Sequence, residues 1–363
     1  MKKNVCLFID NLTGGGAEKK ILIIAEQMVS MGHEAHVVMM NDVVAYPVPE
    51  GVHCHALYPR EARNLDQFWR IGRTVRDLRA RLEQIRSRNG RFNLYLSNLD
   101  RTNKIVSRLD VAPVYFVMRN SVEEELARAR RLGPFQYYRM LGGKTAVNGK
   151  DVITVSHGLE KEIVQVGRLK PRTIHTILNP FNFDEIRRMA DEEVAEIPDE
   201  PYLLHVGRFA RQKRHDILFQ ALRDVDPSYK LVLLCKQRDK LLRCAEQYGV
   251  TDRIIAPGFQ PNPYPWMKRA RLTVLSSDFE GFVNVVVESM ICGTPAVSTR
   301  CPHSPDEILT GPLAKWLVPR RDPAELAARI NEALVSEIDV AHAPVLDHVA
   351  ARHIAEQYIE LAV

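Results

Sequence analysis

Several features that mark whole classes of protein are missing from this sequence. No apolar run approaches the ~18 residues that a helix needs to cross a bilayer. The five apolar residues between Asn4 and Asp10 are too few for a secretory leader, so a chain without one is expected. The six cysteines form no C-x-x-C pair and several sit inside apolar runs, where a free thiol behaves as a small hydrophobe; a reducing cytoplasm is the simple reading. The 12 histidines are scattered, with no H-E-x-x-H and no grouping with cysteine at zinc spacing, so no metal is expected. With 19 glycines and 21 prolines the chain is neither collagen-like nor of low complexity. What remains is ordinary: 363 residues, 45% hydrophobic, enough for about two packed domains.

The charge is unevenly divided. Residues 1–178 carry 28 Lys and Arg against 18 Asp and Glu, whereas residues 179–363 carry 22 against 27. A basic half suggests an anionic surface or substrate on that side. Residues 5–9 read as a buried strand, 13–16 as a turn, 17–31 as a helix stopped by Gly32, and 35–40 as a second strand: a βαβ unit. Similar runs at 92–96, 114–118 and 152–155 extend the pattern, and strands alternating with helices imply a parallel sheet covered on both faces. An acidic, proline-bearing stretch at 179–201 is read as the connection. The rhythm then restarts with strands at 202–206, 230–235, 253–256, 272–275 and 296–298. The expected fold class is therefore α/β, with two doubly wound parallel-sheet domains, residues 1–178 and 179–346, and a C-terminal helix at 347–363. Ligands of such sheets bind beyond the carboxyl ends of the strands.

Three segments lie at such ends. Thr13-Gly14-Gly15-Gly16-Ala17-Glu18 lets the backbone approach a ligand and aims helix amides at negative charge, or is simply a tight turn. His205-Val206-Gly207-Arg208-Phe209-Ala210-Arg211-Gln212-Lys213 offers two cations, Arg208 and Lys213, where a diphosphate would sit; a solvated basic turn is the plain alternative. Residues 276–295 contain Glu280 and, eight residues on, Glu288, which sits among apolar side chains and needs a partner. Sugar hydroxyls suit such carboxylates, although a helix cap and an exposed helical acid would also explain them.

Taken together, the Gly-rich N-terminal loop, G-R-F followed by a lysine, E-G-F-x-N-x-x-x-E, C-G-T-P and C-P-x-x-P-x-E-I-L at 301–309 resemble the retaining, nucleotide-sugar-dependent glycosyltransferases of family 4. The resemblance implies the GT-B fold, two Rossmann-like domains facing a central cleft, the C-terminal helix returning to the first. It implies a metal-independent hexosyltransferase using no cofactor beyond its donor, a nucleoside-diphosphate sugar, with UDP ahead of GDP. Arg208 and Lys213 would hold the diphosphate, Glu280 the transferred sugar and Glu288 the ribose. Phe282 and the backbone amides of Val283, Asn284 and Val285 would complete the donor site, with Gly15 and Gly16 closing from the first domain. Arg208, Lys213 and Glu280 would be the catalytic set. The acceptor, a lipid-linked or surface glycan such as lipopolysaccharide or capsule, would lie against the first domain.

Where many family members present a histidine near the sugar, this chain has Arg119-Asn120-Ser121, so Arg119 and Asn120 become the acceptor-side candidates; Asn120 cannot serve as a general base. Ser304 replaces the usual glycine of C-P-x-G-P, and Lys236-Gln237-Arg238 replaces a glycine pair. Asp224-Val225-Asp226 imitates a metal-binding D-x-D but follows a helix and precedes Pro227, a turn where aspartate is favoured locally. Residues 69–85 place Trp69, Ile71, Val75, Leu78, Leu82 and Ile85 on an apolar stripe with arginines off it, and residues 128–141 mix cations with aromatics as interfacial segments do. A peripheral contact with the inner face of an anionic cytoplasmic membrane is expected from both. Nucleic acid is not, since no recognised motif accompanies the basic residues. Two rivals remain: a GT-B-like sugar-nucleotide epimerase, and a non-catalytic sugar-nucleotide-binding protein.

Overall fold

Runs of β-branched and aliphatic residues alternating with amphipathic segments build two compact units, Met1–Phe181 with Val349–Val363, and Asn182–His348. The computed structural model describes residues 1–13 and 15–363; Gly14 of the glycine run lies outside the described residues.

The first unit runs β1 (Asn4–Ile9), α1 (Gly16–Ser30), β2 (Glu34–Asn41), β3 (Val52–Tyr58), α2 (Ile71–Asn89), β4 (Leu94–Asn98), α3 (Asp100–Val106), β5 (Val114–Met118), α4 (Val122–Arg131), α5 (Pro134–Lys144), β6 (Asp151–Thr154), α6 (His157–Val166) and β7 (Thr173–Thr176). Its described strands pair in parallel in the order β3-β2-β1-β4-β5-β6-β7. Helices on both faces explain why β1 and β4 are buried throughout and read as continuous apolar runs. Gly32, at φ 85°, supplies the left-handed turn after α1 that a side chain would resist. Ser121 caps α4 by accepting from the Glu124 amide, with three glutamates in the first turn and arginines in the last, each end complementing the helix dipole. On α2 the stripe Ile71, Val75, Leu78, Leu82 and Ile85 is buried as expected. Trp69 is not: it precedes the helix, stands 65% exposed and meets the still more exposed Phe68 edge to face.

The second unit runs α7 (Phe183–Ala190), β8 (Tyr202–Val206), α8 (His215–Leu222), β9 (Lys230–Leu234), α9 (Arg238–Gln247), β10 (Ile254–Ile255), α10 (Tyr264–Arg269), β11 (Leu272–Leu275), α11 (Asn284–Ile291), β12 (Ala296–Thr299), α12 (Pro305–Ile308), β13 (Leu317–Val318), α13 (Pro323–Leu334) and α14 (Val345–His348). The parallel order is β10-β9-β8-β11-β12-β13. Tyr202, Trp266, Tyr264 and Phe219 fill its core, and the Tyr202 hydroxyl is satisfied by the Trp266 carbonyl at 2.6 Å. The acidic stretch read as connection carries α7. The final helix, α15 (Ala351–Glu360), belongs to the first unit and packs on α1 through a face containing Ile354, Ala355 and Tyr358.

The structure departs from the sequence reading in two further respects. Strands β3, β7 and β13 are additional to the expected set. And the histidines are not all scattered: pairing of β2 with β3 brings His36, His53 and His55 together.

Candidate functional site

In each sheet the strand order reverses once, between β1 and β4 and between β8 and β11, and loops leaving the carboxyl ends of such neighbours enclose a natural ligand crevice. In the second unit these loops are residues 207–214 and 276–283. They are sewn together: the Asp278 amide donates to the Gln212 carbonyl at 2.8 Å, Gln212 Nε2 to the Phe279 carbonyl at 2.7 Å, and Ser276 Oγ to the Lys213 carbonyl at 2.7 Å. Arg214, in the left-handed region at φ 49°, turns its guanidinium onto Asp216 at 2.7 Å and Asp278 at 3.2 Å. Arg321 adds a two-pronged grip on Asp278, at 2.9 and 3.0 Å, and Arg320 donates to its carbonyl at 2.8 Å. Burial alone would raise the Asp278 carboxyl, but Arg321 and Arg214 hold it below the usual carboxylate range.

That clamp positions the residues singled out in the sequence. Lys213 Nζ lies 2.8 Å from Glu280 Oε1, both side chains largely buried. Arg208 is exposed on the same loop as Lys213. Glu288 is half-buried on α11 and Phe282 is buried just before it. The three expected amides divide. The Val283 amide donates to Ser304 Oγ at 2.9 Å and the Asn284 amide to the Phe282 carbonyl at 3.0 Å, so both already have acceptors inside the protein; Val285 lies in the first turn of α11. The expectation that all three serve a ligand is corrected accordingly. The serine that replaces glycine at 304 thus ties the segment after β12 to the start of α11.

Beneath the loops the groups are kept neutral. Burial, followed by the neighbouring His215 and Lys213, depresses His205 far below the usual imidazole range, and burial with Lys213 lowers His215 to about 4. Burial pushes the Cys301 thiol up, and Glu280 adds to the shift, so it is no nucleophile at neutral pH. A Cβ on Gly207 would come within 3.2 Å of Lys213 Cε, which explains the small residue there. The arrangement therefore pairs a lysine with a carboxylate at the carboxyl edge of the sheet, with Arg208 on the lysine's own loop and Glu288 on the helix that follows, chemistry suited to an anion carrying hydroxyl groups. Asp226, by contrast, accepts from the amide and hydroxyl of Ser228 at 2.9 and 2.7 Å, the local turn read from the sequence. Sequence reasoning missed Asp278, Arg214 and Arg321, because the clamp joins three separate loops; two arginines at positive φ leave no signature in residue type.

In the first unit Gly15 and Gly16 open α1, Gly15 as its N-cap. Arg119, at the end of β5, donates to Asn179 Oδ1 at 2.8 Å and to Asn98 Oδ1 at 2.9 and 3.2 Å; burial pulls its pKa down, opposed by Tyr358 and Glu18. Asn120 is exposed and donates to Glu125 at 3.1 Å. Nearby, a pocket of about 300 Å³ is lined by the cations Arg101, Lys104, Arg128 and Arg139 and the carboxylates Asp66, Asp100 and Glu125, among others. The buried Lys144, unremarked in the sequence, pairs with Asp100 at 2.9 Å and Glu125 at 2.5 Å on its wall.

Known proteins share both the sequence pattern and this architecture. Residues 187–344 match the family model of glycosyl transferases group 1. The chain is 23% identical over 305 residues to the N-acetylgalactosamine-N,N'-diacetylbacillosaminyl-diphospho-undecaprenol 4-alpha-N-acetylgalactosaminyltransferase of Campylobacter jejuni, covering 81% of this chain and 80% of that one. It is 26% identical over 200 residues to the lipopolysaccharide 1,6-galactosyltransferase of Escherichia coli, covering 52% of this chain and 54% of that one. Among solved structures, Anabaena HepE in complex with UDP and glucose superposes with a TM-score of 0.73 at 17% identity, covering 99% of this chain and 98% of the other. Domain model and curated relatives agree on one activity class, glycosyl transfer. Residues 187–344 are a glycosyltransferase group 1 domain, and the chain that carries it has the GT-B fold of two Rossmann-like parallel-sheet domains.

Proposed function

We propose that this glycosyltransferase is a retaining, metal-independent enzyme that moves a hexosyl group from a nucleoside-diphosphate sugar, UDP ahead of GDP, to a hydroxyl of a lipid-linked or surface glycan. The observation that carries the reading is the Lys213–Glu280 pair at the β8/β11 reversal, with Arg208 on the same loop. When the bond from the sugar's anomeric carbon to the diphosphate breaks, negative charge grows on the leaving oxygens. Lys213 and Arg208 neutralise that charge, and Glu280 accepts from hydroxyls of the sugar while Glu288 accepts from the ribose. The acceptor oxygen bonds to the anomeric carbon on the face the diphosphate leaves, and its proton passes to a phosphate oxygen, so no side-chain base is required and Asn120 suffices where a histidine is common. Preorganised charge of this kind is usually the largest catalytic contribution. The names of the relatives, a transferase acting on a diphospho-undecaprenol glycan and a lipopolysaccharide galactosyltransferase, support the acceptor class, and the UDP and glucose bound by HepE support the donor class.

The acceptor is assigned to the first unit, whose pocket of mixed charge, with Arg128 and Arg139 on its wall, suits phosphorylated or lipid-linked saccharide. Helices α4 and α5 leave Leu132, Phe135 and Tyr138 exposed among arginines, a composition fitted to the anionic inner face of the cytoplasmic membrane. The test is transfer from a panel of UDP- and GDP-sugars to undecaprenol-linked and lipopolysaccharide acceptors, with the product's anomeric configuration read by NMR. Transfer with retention, abolished in Lys213→Ala and Glu280→Gln proteins of unchanged circular dichroism, is expected. Inverted product removes the retaining mechanism, and full activity in both variants removes the site.

A further inference from the structure

The edge of the first sheet gathers side chains that lie far apart in sequence. β3 is the outermost strand and pairs in parallel with β2, so that His36 stands beside His53 and Val38 beside His55. Because side chains alternate along a strand, Glu34 and His36 of β2 share one face with His53 and His55 of β3. The rings of His36 and His53 lie 4.8 Å apart and those of His36 and His55 5.3 Å apart. Glu34 Oε2 is 3.3 Å from His53 Nε2, and one ligating atom from each of Glu34, His36 and His53 lies within 4.8 Å of the other two.

Packing does not account for this group. His36 is 1% exposed; its Nδ1 meets His55 Nε2 at 3.0 Å, whereas its Nε2 is buried with no partner among the described residues. A buried nitrogen without a partner is destabilising, and an apolar side chain at 36 would avoid it. From this juxtaposition we infer that Glu34, His36 and His53 form a binding site for a transition-metal ion that favours imidazole, Zn²⁺, Ni²⁺ or Cu²⁺, with His55 as the orienting partner of His36. Two imidazoles and a carboxylate are an ordinary donor set for these ions. A contact from the second ring nitrogen of a ligand histidine, like that between His36 and His55, is how such rings are commonly oriented. Glu34 keeps Oε1 for Lys2 at 2.6 Å while Oε2 faces His53. Arg81 of α2 faces His55, which places the ion on the Glu34 side. Metal–ligand bonds of about 2 Å require the group to contract, and the partly exposed Glu34 and His53 side chains have the freedom to do so.

The site sits toward the amino ends of β2 and β3, at the opposite end of the strands from the sheet's carboxyl edge, so its role is to pin the edge strand to its neighbour and it has no part in transfer. The test uses the full chain without an affinity tag, stripped with EDTA and titrated with Zn²⁺ by calorimetry and with Co²⁺ by visible absorption. One tightly bound equivalent and a raised Tm are expected. His53→Gln and Glu34→Gln, both at partly exposed positions, should each weaken binding at least tenfold; His55→Leu should weaken it about ten- to a hundredfold. His342→Ala, in the exposed pair with Asp339, should leave it unchanged. Absence of saturable binding at micromolar metal, or undiminished affinity in both His53→Gln and Glu34→Gln, overturns the assignment.

Discussion

Lys213 neutralises Glu280 in the free protein, and in the function proposed above the same ammonium also meets the donor's diphosphate. Removing it should therefore cost both turnover and stability. For Lys213→Ala we expect kcat/KM to fall by about 10² to 10³, the size seen when one preorganised charge-stabilising donor is lost, and Tm to fall as well, because Glu280 is left largely buried without its cation. Ser304 should affect stability alone. Ser304→Ala strands the buried Val283 amide, a loss of about 1–3 kcal/mol of stability measurable by urea denaturation. Lys213 and Glu280 were legible in the sequence because their motifs are local, a few residues after a strand. Asp278 was not, since its meaning comes from Arg214 and Arg321, 64 and 43 residues away. The same holds for His36, whose partners arrive on another strand.

At the scale of elements, what the sequence reveals depends on burial. Central strands such as β1 and β4 are covered on both faces and appear as apolar runs, whereas the edge strands β3 and β7 are mostly half-exposed, carry His and Thr, and escape a reading based on apolar runs. The helical stripe of α2 is equally plain, and Trp69 departs from it only because the periodic pattern in sequence runs past the start of the helix. Contacts between helices were invisible. Lys144 of α5 joins Asp100 of α3 and Glu125 of α4, and although burial alone would lower its pKa, the two carboxylates raise it. Lys144→Met removes the cation that Asp100 and Glu125 share and leaves two like charges together, and a loss of about 3–5 kcal/mol is expected by thermal or chemical denaturation. The α4 and α5 helices also carry the membrane reading. Co-sedimentation with phosphatidylglycerol vesicles should be salt-sensitive and should drop in Phe135→Ser and Arg131→Glu, with phosphatidylcholine vesicles retaining none; equal binding to both lipids would dismiss it.

For the whole molecule, acidity is the sharpest lever. His205 and His215 are buried and neutral in the folded second unit, and in the unfolded chain they regain an ordinary imidazole pKa near 6.5. Between about pH 6.5 and His215's value of about 4 the unfolded chain binds the extra proton, so stability falls as pH falls, by about 1.4 kcal/mol per pH unit for each fully titrating histidine. Urea midpoints measured from pH 7.5 to pH 5 should decline, and the decline should be shallower in His215→Phe; a flat profile in the native protein would contradict the buried neutral state.

The order in which the chain is synthesised matters for this fold. Phe181 and Ala350 lie side by side, with the Phe181 amide donating to the Val349 carbonyl at 2.9 Å and the Ala351 amide to the Phe181 carbonyl at 2.9 Å, and Asn93 donates to the carbonyl of Val363 at 2.8 Å. The amino-terminal unit thus borrows its final helix from residues translated after the whole of the other unit. Residues 182–348 hold a core of their own, while α1 keeps an apolar flank uncovered until α15 docks on it. A released chain truncated after residue 348 should accordingly show a protease-resistant carboxy-terminal unit beside an amino-terminal unit more open to cleavage.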